Sequence, residues 1–145
     1  KSKIMHIKQL SVFLEDRSGR LTELTRILAV NDIDITALSV AETADYGIVR
    51  MVVGRPELAK DVLEKAGFSI GLTDVVCINM PDQPGSLYNI LEILTDEGIN
   101  VDYMYAFSNN DVALAVIRAA DIQRVTEVLD RNRLKLLSQS DIYQL

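Results

Sequence analysis

Side chains that carry chemistry are scarce in this chain. Its 145 residues include one histidine, one cysteine and no tryptophan. Nucleophilic catalysis needs a nucleophile with a base to activate it, and a zinc site needs several cysteine and histidine ligands. His6 lies in a lysine-rich N-terminal segment, where we expect it to be solvated, and Cys77 lies within a predicted strand. We therefore predict no catalytic residue, no metal site and no cofactor, and interpret the chain as a binding protein rather than an enzyme.

Long apolar runs and an excess of positive charge are also missing. No apolar run approaches the roughly 20 residues that a membrane-spanning helix needs. The formal net charge is −6, whereas a surface that binds nucleic acid is basic. A single cysteine forms no internal disulfide, which fits a reducing compartment. These features predict a cytoplasmic protein that binds neither membranes nor nucleic acids.

What the sequence does contain is an internal repeat. The segment Asp16-Arg17-Ser18-Gly19-Arg20-Leu21 recurs as Asp82-Gln83-Pro84-Gly85-Ser86-Leu87, and its glycines lie 66 residues apart (85 − 19). Apolar residues farther along match at the same offset, for example Leu28 with Leu94. Such a repeat means that one folding unit is used twice. We therefore predict two domains, at 1–73 and 74–145.

Hydrophobic periodicity predicts the order β-α-β-β-α-β in each half. Residues alternate from Gln9 to Glu15 as in a strand, and apolar residues after Leu21 recur at helical spacing. The other elements predicted in the first half are strands at Ile33–Ala41, Tyr46–Val53 and Phe68–Thr73 and a helix from Pro56 that Gly67 ends. The second half has predicted strands at Val75–Met80, Ile99–Phe107, Val112–Ile117 and Leu134–Tyr143, a helix from Leu87 that Gly98 ends, and a helix with Asp121 as its N-cap. This order predicts an α+β fold of two tandem ferredoxin-like units with antiparallel sheets.

Each copy of the repeated loop joins a strand to the N-terminus of a helix. The unpaired amides and the dipole of a helix N-terminus bind carboxylates, and Gly19 and Gly85 would let a ligand approach the backbone. Asp34 and Asn100 stand 15 residues after these glycines, at the start of the next strand. Side-chain oxygen atoms of these two residues, or of Asp16 and Asp82 in the loops, would accept hydrogen bonds from an ammonium group. The pattern predicts a ligand that has both a carboxylate and an ammonium group.

The same loops also have a purely structural interpretation. Asp and Ser before a helix are common N-caps, and Pro is common in the first helical turn. Glycine permits the tight turn that the loop needs. From the residue types alone, both interpretations remain open.

Several stretches of the chain resemble the ACT domain. They are Leu14–Leu21 with Asp32-Ile33-Asp34-Ile35, and Met80–Leu87 with Gly98-Ile99-Asn100-Val101. The resemblance covers nearly the whole chain as two copies. It implies a stand-alone tandem ACT protein that binds an amino acid at an interface between ACT units.

The resemblance implies that Asp16, Asp82, Asp34 and Asn100 contact the ligand, and our hypothesis adds backbone and pocket contacts. Backbone amides at Arg20-Leu21 and Ser86-Leu87 would hold the carboxylate, and residues of the second strands would shape the side-chain pocket. The second-strand residues that would shape this pocket are Ala37, Leu38, Tyr103 and Met104. The full predicted set of ligand-binding residues is Asp16, Gly19, Arg20, Leu21, Asp34, Asp82, Gln83, Pro84, Gly85, Ser86, Leu87 and Asn100.

The two loops follow the family pattern unequally. The first loop has Ser18 where proline is usual, whereas the second has Pro84, so the 82–87 loop with Asn100 is the preferred site. Serine-binding members carry a histidine where this chain has Leu14 and Met80, which argues against serine recognition of that type.

The leading hypothesis is a non-enzymatic sensor that binds an amino acid and acts on a separate enzyme or regulator. The alternative is a ligand-independent protein–protein interaction module that regulates a metabolic enzyme. An enzymatic role would be limited to completing a site in a partner. Open sheet edges tend to be paired or covered, so we expect a homodimer. The alternative is that the two units of one chain cover each other's sheet edges.

Overall fold

The computed structural model describes residues 5–15, 18–42, 46–109 and 112–143. These residues form two compact units. The first unit consists of residues 8–73 with 141–143, and the second consists of residues 74–140 with 5–7. The units therefore differ at both chain ends from the predicted domains 1–73 and 74–145. Met5 accounts for part of the difference, because it packs against the core of the second unit.

The first unit has the predicted order of elements. They are β1 (Ile7–Glu15), α1 (Arg20–Val30), β2 (Ile35–Glu42), β3 (Tyr46–Val53), α2 (Pro56–Lys65) and the beginning of β4 (Ser69–Pro81). The sheet order is β2-β3-β1-β4, with β3 antiparallel to both β1 and β2. On α1, Leu24, Ile27 and Leu28 are buried in one cluster with Val12 and Val49 of the sheet. The helical spacing of these apolar residues thus becomes the buried face of α1.

The second unit repeats this order from the remainder of β4. Its further elements are α3 (Ser86–Asp96), β5 (Tyr103–Asn109), β6 (Val112–Arg118), α4 (Ile122–Arg131), β7 (Lys135–Leu137) and α5 (Gln139–Tyr143), the last of which continues into the first unit. The strand order is β5-β6-β4-β7, and the pairs are antiparallel. Ile90 and Leu94 of α3 pack in one core with Val125 and Leu129 of α4. The prediction of two α+β ferredoxin-like units is confirmed.

Local predictions at the helix ends and at β3 are also confirmed. The strand Tyr46–Val53 has the predicted bounds, and α2 begins at Pro56. Asp121 caps α4, since its Oδ1 accepts a hydrogen bond of 3.1 Å from the amide of Arg124. Gly98 follows the end of α3 with a φ of 70°, a conformation that favours glycine at a helix C-terminus.

The strands around the unit boundary and after α3 differ from the prediction. The strands predicted at Phe68–Thr73 and Val75–Met80 form one continuous strand, β4. The strand predicted to begin at Ile99 begins at Tyr103. Ile99 and Val101 pack against the core without strand pairing, so their apolar character reflects burial of a connecting segment.

The end of the chain also differs from the prediction. The closing strand predicted at Leu134–Tyr143 is limited to the three residues of β7, and the short helix α5 follows it. Ile142 on α5 is 1% exposed. Burial in a helix rather than in a strand therefore explains its apolar character. Among the described residues, no helix is long and apolar enough to span a membrane.

Candidate ligand-binding site

Both repeated loops place a glycine in the left-handed conformation at the start of a helix. Gly19 is the N-cap residue of α1 with φ 90°, and Gly85 is the N-cap residue of α3 with φ 92°. A Cβ built on either glycine meets no atom of the described residues within 4 Å, apart from the adjacent residues in the chain. The backbone conformation therefore favours glycine at both positions, and the space outside each loop is open.

The N-termini of α1 and α3 lack side-chain caps among the described residues. The carbonyl of Gly85 accepts from the amide of Asn89, and the amide of Ser86 donates to the carbonyl of Gln83 at 3.3 Å. The amides of Leu87 and Tyr88 make no hydrogen bond to the described part of the chain. The structural interpretation of the loop as a side-chain N-cap is therefore wrong for Asp82.

The first loop shows the same lack of a cap as far as it is described. Ser18 does not cap α1, and the carbonyl of Gly19 accepts only the backbone amide of Glu23, at 2.9 Å. The predicted ligand residue Asp16 lies outside the described residues. Leu21 is 38% exposed. The described part of this loop thus also leaves a helix N-terminus open.

Two pockets flank the second loop. One, of about 230 Å³, is lined by Asp82, Gln83, Ser86 and Leu87 of the loop and also by Phe107. The other, of about 350 Å³, lies on the side of Asn79, Asn89 and Leu134, and its loop residues are Gln83, Pro84, Gly85 and Ser86. All six residues predicted in the second loop therefore line one or both of these pockets.

A pocket of about 410 Å³ lies beside the first loop. Its described lining consists of Phe13, Leu14, Glu15, Arg20, Tyr46, Gly67 and Ser69. Of the predicted site residues that the structure describes, only Arg20 lines it. The aromatic rings of Phe13 and Tyr46 meet edge to face, with centroids 5.5 Å apart.

The side chain of Arg20 is a feature of this pocket that was not predicted from the sequence, because only its backbone amide was considered. Its guanidinium carbon lies 4.0 Å from the centroid of the Phe68 ring. Its Nε lies 3.6 Å from Oε1 of Glu15 and is buried without a hydrogen bond. The repeat offers one signal for this feature, since the position matching Arg20 is Ser86, which carries no charge.

Asp34 and Asn100 do not join the loops within a unit. They follow the C-terminal ends of α1 and α3, whereas the loops precede the N-terminal ends of these 11-residue helices. A helix of this length spans about 16 Å. Both residues are exposed, and neither lines the three pockets described above. Within one unit, the length of the helix therefore separates the loop from the second-strand residue. The predicted site at an interface between ACT units stays a prediction.

The second-strand residues that were predicted to shape a side-chain pocket do not line the pockets beside the loops. Ala37 is buried and Leu38 is 44% exposed, and these residues, like Tyr103 and Met104, are not among those that line the three pockets. The reason is strand direction. In the second unit, Ala113 pairs with Met80 beside the loop and with Ser108 at the end of β5, so the end of β5 lies at the loop rather than its beginning.

The two side chains considered for chemistry lie apart from the loops. Cys77 is 1% exposed within β4, and burial raises the pKa of its thiol to about 12. Nε2 of His6 lies 3.9 Å from Oδ1 of Asp74. Among the described residues, no group of three or more His, Cys, Asp or Glu side chains could hold a metal ion.

The fold places the chain in the class of tandem ferredoxin-like proteins, with an open strand–helix loop in each unit. Its sequence matches the family model described as an ACT domain pair over residues 5–145. The chain therefore belongs to the ACT domain family, as a pair of ACT domains. Such pairs are typical of regulatory proteins rather than of catalytic domains.

Solved structures share the fold of this chain. The chain is similar to protein BT0572 from Bacteroides thetaiotaomicron, with 46% identity over 97% of this chain and 98% of that one, and a TM-score of 0.92. The regulatory subunits of aspartate kinase from Thermus thermophilus and Thermus flavus are 13% and 14% identical, with TM-scores of 0.65 and 0.61. Each comparison covers 89% of this chain and 93% of the subunit, and the likeness shows the fold. A comparison with curated proteins finds no significant match.

Proposed function

We propose that the chain is a non-enzymatic regulatory protein that binds a free amino acid at the 82–87 loop. The observation that carries the proposal is the uncapped N-terminus of α3, which begins at a left-handed glycine between two pockets. Unpaired amides at such a terminus, together with the helix dipole, favour a carboxylate. The chain belongs to a family of regulatory, ligand-binding domains, and this membership supports the same role.

The geometry refines which groups would hold the ligand. The amide of Ser86 already donates to Gln83, so the carboxylate would be held by the amides of Leu87 and Tyr88. The carboxylate of Asp82 lines the same pocket as Leu87 and would meet the ammonium group. Asn100 would reach a ligand only from another unit or from a second copy of the chain, which is why we propose binding at an interface and a homodimer.

The regulated protein would be a separate enzyme or regulator. A ligand that binds one arrangement of the units more tightly than another shifts the population toward that arrangement by its differential affinity. A partner that contacts only one arrangement would sense this shift. The similar fold of two enzyme regulatory subunits is compatible with such a role.

A thermal-shift screen of the free amino acids tests the proposal. A ligand at about 100 times its Kd should add roughly 2.7 kcal/mol to the stability of the folded protein. The site variant is Gly85→Gln and its matched control is Gly98→Gln, because both glycines flank α3, have positive φ and have open space around a Cβ. Both variants should lose similar stability, and only Gly85→Gln should lose the ligand response. If no amino acid raises the melting temperature of the unaltered protein, the proposal fails.

One observation favours the alternative of a ligand-independent interaction module. Leu38 and Val40 on β2 are 44% and 53% exposed, and exposed apolar residues on a sheet edge favour pairing with another chain. Partner binding that persists in Gly85→Gln, without any amino-acid response in the unaltered protein, would support this alternative.

A further inference from the structure

The pocket of the first unit differs in chemistry from the pockets of the second. It combines one cation, Arg20, with the aromatic side chains of Phe13 and Tyr46. In the second unit the repeat position is Ser86, and the described linings of both pockets contain no cation. The two units thus present different surfaces to a ligand, although their backbones at the loop are alike.

Arg20 is arranged to accept an anion. Its guanidinium stacks on the ring of Phe68 at 4.0 Å, and stacking of this kind leaves the in-plane N–H donors available for a carboxylate. The ion pair with Glu15 is long, at 3.6 Å, and the Glu15 side chain is 68% exposed. Because the Glu15 carboxylate is largely solvated, a pair of this length contributes little. The side chain of Arg20 is itself only 16% exposed, so its position is fixed by the pocket wall.

The aromatic wall of the pocket is exposed to a ligand. Phe13 and Tyr46 are 43% and 41% exposed, and they already form an edge-to-face pair. A third ring would gain apolar contact and quadrupole-directed packing at such a pair. The volume of about 410 Å³ falls within the range of small-molecule pockets.

We propose that the first unit binds a carboxylate that carries an aromatic ring. The carboxylate contacts the guanidinium of Arg20, and the ring packs on Phe13 and Tyr46. This inference rests on the proposed function, because it names the ligand class for the pocket beside the first of the two loops. An ammonium group on the ligand would face Glu15. The carboxylate and the ring that the pocket contacts are common to an aromatic amino acid and a simple aromatic acid.

Isothermal titration with four probes tests the ligand class. Phenylacetate has both features, cyclohexylacetate lacks the aromatic ring, 2-phenylethanol lacks the carboxylate, and L-phenylalanine adds an ammonium group. We expect phenylacetate or L-phenylalanine to bind at least 10-fold more tightly than the other two probes. Tighter binding of L-phenylalanine than of phenylacetate would identify the amino acid as the ligand source, and the reverse order would identify the simple acid. Equal affinity for all four probes, or no binding, overturns the inference.

Variants locate the binding. Arg20→Gln should weaken phenylacetate binding at least 10-fold, whereas Arg26→Gln, an arginine on the same helix whose partner is Glu23, should leave it unchanged. Because Arg20 packs on Phe68, Arg20→Gln is first checked by thermal unfolding. If it does not fold, Phe13→Leu replaces it, and a loss confined to the ring-bearing probes is expected. Unchanged binding in the folded variant that is used overturns the inference.

Failure of this inference is distinguishable from failure of the proposed function. Amino-acid binding that depends on Gly85 but not on Arg20, without phenylacetate binding, overturns the inference alone. Phenylacetate binding that depends on Arg20, without any response to free amino acids, overturns the proposed function alone.

Discussion

At the scale of single residues, the two loops share a backbone and differ in side chains. Gly19 and Gly85 have φ angles within 2° of each other, so the repeated sequence specifies one backbone conformation twice. The next residue is Arg20 in one loop and Ser86 in the other. A change at this one position places a cation beside the first loop and a small hydroxyl beside the second. The two copies can therefore share a fold and differ in the ligand that they recognise.

Cys77 gives a prediction at this scale. Burial raises the pKa of its thiol from 9.0 to about 12, so the thiol stays protonated in the folded protein at pH 8. Since the thiolate is the nucleophile, we expect no reaction of the native protein with a thiol-specific disulfide reagent at pH 8. One thiol per chain should react after unfolding in urea. Rapid labelling of the native protein would contradict the burial of Cys77.

The same pKa shift affects stability at alkaline pH. A thiol whose pKa is higher in the folded than in the unfolded state stabilises the folded protein while it is protonated. This stabilisation is complete below pH 9 and is lost as the pH rises toward 12. The loss is at most about 1.4 kcal/mol per pH unit. In the variant Cys77→Ala this contribution is absent. The difference in unfolding free energy between the two proteins, measured by urea denaturation, should therefore shrink between pH 9 and pH 11.

At the scale of secondary-structure elements, the helix N-termini differ in capping, and α2, with Arg55 as its N-cap residue, has no side-chain cap in the described part of the chain. Asp121 caps α4 through its side chain, whereas α1 and α3 begin at glycines without a side-chain cap among the described residues. A cap contributes typically about 1 kcal/mol. The N-termini of α1 and α3, which follow the two copies of the repeated loop, therefore lack a common source of helix stability.

A pair of alanine substitutions measures this difference. Asp121→Ala removes a cap and should lower the unfolding free energy by about 1 kcal/mol. Asp82→Ala removes no cap and should change it by less than about 0.5 kcal/mol. Both values are obtained from urea denaturation without ligand. A loss of about 1 kcal/mol in Asp82→Ala would show that Asp82 caps α3 in solution.

Sequence patterns predicted the ends of helices correctly where the chemistry of a single residue determines them. Asp121 and Pro56 mark helix starts by capping and by backbone restriction, and both were placed correctly. Ile99 and Ile142 were assigned to strands because they are apolar, and apolar character alone does not distinguish a strand from another buried segment. The separation of Asn100 from its loop depends on the direction of α3 within a unit, which a spacing of 15 residues does not reveal.

At the scale of the whole molecule, the proposed homodimer needs a surface for association. β2 is the edge strand of the first unit's sheet, and Leu38 and Val40 on it are 44% and 53% exposed. An edge strand presents unpaired backbone groups, and natural sheets commonly protect such edges with lysine. Since β2 contains no lysine, the edge is open to pairing with a second copy.

The variant Val40→Lys tests this edge. A lysine at position 40 should oppose edge pairing, and we expect the mass measured by size-exclusion chromatography with light scattering to fall from twice the chain mass to 16.2 kDa. Val30→Lys is the control, because Val30 is 68% exposed on α1 rather than on β2, and we expect it to leave the dimer intact. A monomeric unaltered protein would exclude the homodimer, and a dimer that persists in Val40→Lys would exclude β2 as its contact. If the ligand is bound between copies, Val40→Lys should also weaken amino-acid binding, which joins the oligomeric state to the regulatory site.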